Sequence, residues 1–134
     1  MSTIISSDSL IRRLPIGYES AIEKVTAALK AEGFGILTEI DVKAVMKKKL
    51  DRDFRKYVIL GACNPNLAYK ALSTDLDLGL LLPCNVIVYE EDGDSVISVI
   101  DPVQMLNVAD QPELQEVAQE ARTRLKRAVA TLSD

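Results

Sequence analysis

The amino-acid sequence predicts an α+β domain in which helices pack against a sheet. Two stretches near the ends of the chain repeat apolar residues at helical spacing. The segments between them alternate, or run continuously apolar, between turn residues. A length of 134 residues suits one domain, 1–134, and no repeat or low-complexity linker divides it. At this size folding buries roughly two-thirds of the unfolded chain's surface, so the core needs no metal or disulfide to stand.

The apolar stretch Leu10–Leu14, closed by Pro15 and Gly17, predicts a first strand. From Tyr18 to Glu32, Ala21, Ile22, Val25, Ala28 and Leu29 share one helical face, and Gly33 supplies a left-handed stop. Phe34–Ile40 alternates, with Phe34, Ile36, Thr38 and Ile40 facing one way and Gly35, Leu37 and Glu39 the other. Asp41 caps a short basic helix, Val42–Leu50. Tyr57–Cys63 is nearly all apolar and reads as a central strand. Asn64-Pro65 is a cap followed by a first-turn proline, which opens a helix to about Leu72.

Pro83 then opens a strand, Cys84–Glu90, and Asp92-Gly93 turns the chain back into Ser95–Ile100. The residue before a proline stays extended, so Asp101 reads as a strand exit, followed by a short helical piece. Asp110 and Glu113 are spaced as a capping box for the last helix. Its stripe runs through Leu114, Val117, Ala121, Leu125, Val129 and Leu132, and needs a sheet or another subunit to cover it.

Composition narrows the function classes. Two Phe, four Tyr and no Trp leave few rings for stacking bases, and a net charge of −4 argues against a general polyanion binder. Nucleic acid is therefore not an expected partner. The charge is uneven: seven basic residues lie between Lys43 and Lys56 against Asp51 and Asp53, and the remainder is strongly acidic. Such a segment is a solvated helix face, a guide for an anionic ligand, or a match for an acidic surface on another subunit. No apolar run approaches the ~18 residues that span a bilayer, so no membrane partner is expected. Met1–Leu14 lacks the pattern of a secretory signal, and with two cysteines the chain reads as cytoplasmic with reduced thiols.

Four ordered runs carry a resemblance. Gly33–Val42, Ile59–Pro65, Gly79–Val86 and Asp101-Pro102 together resemble the signatures of domain-of-unknown-function family 302, over about Leu14 to Leu132. The chain departs from the family's pattern across Leu50–Lys56. The resemblance implies a TATA-binding-protein-like layout, β-α-β4-α, with a mostly antiparallel sheet packed by helices on one face. It carries over no activity, cofactor or site residue, and a shared fold does not imply nucleic-acid binding.

Chemistry must therefore be sought in the residues themselves. With no histidine there is no Ser-His or Cys-His pair and no imidazole metal ligand. Gly33-Phe34-Gly35 follows a helix, whereas a phosphate loop follows a strand, so it reads as a helix stop. Cys63 ends a strand just before a capped helix, a setting that lowers a thiol pKa. Cys84 begins the next long strand, and antiparallel pairing of the two strands would bring both sulfurs to one sheet edge. Asn64 and Asn85 follow the cysteines and could add amide contacts. Glu39 is a mid-strand carboxylate that needs either a wet face, a pocket or a partner such as Lys48. Tyr57 and Tyr89 fit a cleft wall or plain sheet packing.

Three readings follow. The first is a small-ligand or soft-metal-binding module around Cys63, Cys84, Asn64, Asn85 and Glu39, with the two cysteines as the metal ligands. The second is a cysteine-dependent enzyme with Glu39 or a lysine as base, and the third a structural homodimer or interaction domain without a ligand. Buried cysteines that merely fill the core fit the same sequence. A homodimer is expected under all three readings, because an open sheet has edges and a face to cover. No cofactor is specified.

Overall fold

The computed structural model describes residues 7–133. The first six residues, part of the stretch where no secretory signal is expected, lie outside the described residues. A short 3₁₀ turn, Asp8–Leu10, leads into β1 (Ile11–Leu14). There follow α1 (Tyr18–Ala31), β2 (Gly35–Asp41), α2 (Val42–Leu50), β3 (Tyr57–Cys63) and α3 (Pro65–Thr74). After a 3₁₀ segment, Leu76–Leu81, come β4 (Cys84–Glu91) and β5 (Asp94–Val99). The chain ends through α4 (Pro102–Asn107), a 3₁₀ turn at Pro112–Leu114, and α5 (Gln115–Ala130).

The five strands form one sheet in the order β1-β5-β4-β3-β2, and every pairing is antiparallel. Register decides which residues meet the helices. Val58 opposes Val88, which opposes Ile97, and Leu60 opposes Val86, which opposes Val99. All six are buried on the face covered by Ala21, Val25 and Leu29 of α1 and by Leu125, Ala128 and Val129 of α5. A fully buried Leu such as Leu125 contributes about 2 kcal/mol by leaving water. A second, smaller core joins Cys84 to Ala71, Leu78, Met105, Leu106, Leu114 and Ala118.

The expected α+β layout is thus the observed one, with three local departures. A bulge between Ile36 and Thr38 interrupts the predicted alternation: Ile36 opposes Ala62 on the helix side, whereas Thr38 and Ile40 oppose Gly61 and Ile59 on the other side. Thr38 needs Gly61 there, because a Cβ at Gly61 would run into Thr38 Oγ1 and the Pro83 ring. The capping box does not form. Asp110 takes a left-handed conformation (φ 50°), and Pro112 closes a 3₁₀ turn in which Leu114 N–H donates to the Gln111 carbonyl (3.0 Å). The Gln111 amide donates instead to Asp75. Asp101 does more than end a strand: it caps α4 by accepting from Val103 N–H (2.9 Å), and its other oxygen accepts from Arg122 Nε on α5 (3.1 Å).

Asp101 is 3% exposed, so its charge depends on those two partners. Asp101→Ala removes the cap and leaves Arg122 unpaired; urea unfolding should show a loss of about 2–3 kcal/mol. Asp101→Asn keeps a capping oxygen and should lose less.

Candidate functional site

The two cysteines meet because β3 and β4 run antiparallel. Cys84 opens β4 opposite Ala62, and Cys63, one residue on, closes β3. Both line a cavity of about 30 Å³ whose wall also includes Phe34, Leu67, Pro83 and Met105. That is room for an ion or a water molecule, far below the ~300 Å³ at which pockets for organic ligands begin. Cys84 is buried and Cys63 half-buried, and they form no disulfide.

Burial governs their electrostatics. It pushes the Cys63 thiol up from its usual range. It pushes Cys84 up to about 11, with the nearby Cys63 adding to the effect. The expected lowering by the α3 N-terminus does not occur, for a local reason. Pro65 at the first helical position has no N–H, and Leu67 N–H is taken by the Asn64 side chain (3.1 Å). The helix therefore aims little free positive dipole at the sulfur. Both groups are neutral thiols at pH 7.

Asn64 is buried and serves as that cap; its amide also packs against the Gly33 backbone, where a Cβ would come within 2.8 Å. Asn85 is exposed on the sheet face opposite the helices, across from Gly61. Glu39 opposes Leu60, three residues along β3 from Cys63, so about 10 Å separates it from the thiols. It lies exposed on an edge strand and makes no ion pair with Lys48 or any other of the described residues. Open water on the edge explains how its charge is tolerated. Its field reaches Tyr18, whose phenol is pushed up to about 12 by burial first, then by Asp41, Glu19 and Glu39. Tyr57 and Tyr89 stack on each other (5.4 Å between centroids, 9° between planes).

Two features escape the sequence reading. Met105 reaches the cysteine cavity from α4, some twenty residues beyond Cys84, with no local signal in the sequence. A larger groove of about 250 Å³ lies between α4 and α5, floored by Val103, Leu106, Leu114 and Ala118. It gathers no thiol and no basic group. Among the described residues no three His, Cys, Asp or Glu stand together as a metal cluster, and no helix is long and apolar enough to cross a membrane.

The model of a domain of unknown function, DUF302, matches residues 11–132. The chain belongs to the DUF302 family. A crystal structure of an uncharacterized conserved DUF302 protein from Bacillus stearothermophilus is similar over 96% of this chain and 98% of that one, at 30% identity and a TM-score of 0.85. No curated protein matches the chain. The cavity at Cys63 and Cys84 lies within the residues that the DUF302 model matches.

Neutral thiols alkylate slowly, so the native reduced protein at pH 7 should react with iodoacetamide far more slowly than after unfolding, and Cys84 more slowly than Cys63. The raised Cys84 pKa also favours the folded state only while thiols stay protonated. Its contribution is complete below the unfolded thiol pKa and is lost as pH rises through about 11. Unfolding measured from pH 8 to 11 should show a loss on the order of 2 kcal/mol that Cys84→Ala does not show.

Proposed function

We propose that this DUF302 domain binds a single soft metal ion, of the Cu(I) class, between Cys63 and Cys84. One observation carries the reading: Cys63, Cys84 and Met105 all line one cavity with room for an ion and not for an organic molecule. Soft ions select thiolate and thioether ligands, and a two-coordinate Cu(I) site needs only two. A structural zinc site wants four protein ligands, and the histidine-free chain offers two cysteines. Binding would turn both thiols into thiolates and release their protons.

A small organic ligand at the cysteines is the less favoured form of the same reading, on grounds of volume. The cysteine-enzyme reading has less support: the thiols are protonated, and Glu39 is about 10 Å along the sheet.

The test is a titration of the reduced protein with Cu(I), held anaerobically against a competing chelator, with mass spectrometry of the complex. One ion per chain is expected, together with ultraviolet absorption from thiolate coordination. Cys63→Ser, at a half-buried strand end, should weaken binding more than about a hundredfold, and Met105→Leu about tenfold. An affinity equal to that of a folded Cys63→Ser/Cys84→Ser variant would sink the proposal.

A further inference from the structure

The helices cover one face of the sheet, and register names the residues on the other. Ile40, Ile59, Ile87, Ser98 and Ile11 form one row straight across all five strands. Tyr57, Tyr89, Val96 and Arg13 form the next, over four. No residue of either row belongs to the two core clusters, and of the nine only Val96 is fully buried within the chain. Ile40 is 47% exposed and Ile59 and Ile87 are half-buried, while Phe54 and Arg55 lie against the tyrosines at one end of the face. A row of isoleucines beside stacked tyrosines is a poor surface to leave in water.

We infer that this face is covered by the same face of a second copy, in a two-fold dimer whose axis runs along β4. The strand order makes the face self-complementary under that operation. β4 is central, so β3 of one copy lies over β5 of the other, and β2 over β1. Ile87 then meets its own counterpart, Ile59 meets Ser98, and Ile40 meets Ile11. Sheets about 24 Å wide and about 20 Å long bury roughly 1,000 Å² between them, the size at which specific interfaces begin.

Charge argues for a second copy over a different partner. Residues 43–56 hold seven basic and two acidic residues, against nine basic and eighteen acidic elsewhere. Lys48, Lys49 and Arg52 make no ion pair among the described residues, and neither do Glu90 and Asp92 at the β4–β5 turn. The basic segment links the β2 and β3 ends of the sheet, and the turn lies at the same end on β4 and β5. Rotation about β4 carries the basic segment of each copy over the acidic turn of the other. An isologous contact thus supplies both the apolar cover and the opposite charge. The dimer does not depend on the metal site, whose cysteine cavity lies at the other end of these strands.

Light scattering and sedimentation of the full chain from about 1 to 100 μM read the proposal directly. A two-chain mass that weakens with added salt is expected. Ile87→Lys places two like charges on the axis and should abolish the dimer. Ile40→Lys, on an exposed edge strand where folding is little disturbed, should weaken it at least about tenfold. Circular dichroism checks that each variant is folded. A monomer at the top concentration, or a dimer unchanged by a folded Ile40→Lys variant, overturns the inference.

Discussion

The antiparallel pairing of β3 with β4 does more than hold two strands together, because its register assigns every other residue of the domain's centre to a side. With Val58 opposite Val88 and Leu60 opposite Val86, the even-numbered residues of both strands turn to the helices. A slip of one position would present Ile59, Ile87 and Gly61 to α1 and α5 and expose the valines. The same pairing fixes the strand ends, so Cys63 and Cys84, twenty-one positions apart in sequence, come to one cavity. Core, outer face and the meeting of the two cysteine-bearing strand ends are three consequences of one alignment.

Much of this was legible in advance where local chemistry decides. Asp41 and Asn64 cap the helices they precede because a short polar side chain can reach a free N–H from just outside the first turn. The Asp92-Gly93 hairpin followed from left-handed residues: both take positive φ. The capping box at Asp110 was not legible, since two alternatives competed there and Pro112 favoured the tighter turn. The β2 bulge left no trace either, being set by Thr38 packing over Gly61 on a neighbouring strand. Of the candidate site, the shared cavity of the cysteines depends on β3 and β4 running antiparallel, which their sequences leave open. The protonation of the thiols was not legible either, because burial depends on α3, α4 and α5 packing around that end.

The thiols illustrate how two opposing effects are decided by atoms. A helix N-terminus stabilises a thiolate only through donors that still point outward. Here the first position is a proline and the Leu67 N–H is spent on Asn64, while Phe34, Leu67 and Met105 exclude water. Desolvation then prevails, and both sulfurs rest as thiols. A nucleophile is poorly served by such a place. A soft ion is better served, because its own positive charge supplies what the helix does not.

The cavity's third wall depends on an interaction outside it. Met105 lines the cavity from α4 and packs with Cys84 in the small core, and α4 starts at Asp101, held by its own Val103 N–H and by Arg122 on α5. α5 in turn lies across the main core through Leu125 and Val129. The ion pair therefore ties the small core, which contains Cys84 and Met105, to the large one, which contains the sheet centre. Loosening Asp101 would let α4 move and Met105 with it, while leaving β3 and β4 paired. The two cysteines are thus set by the sheet and the methionine by a salt bridge, so the two parts of the site can be disturbed separately.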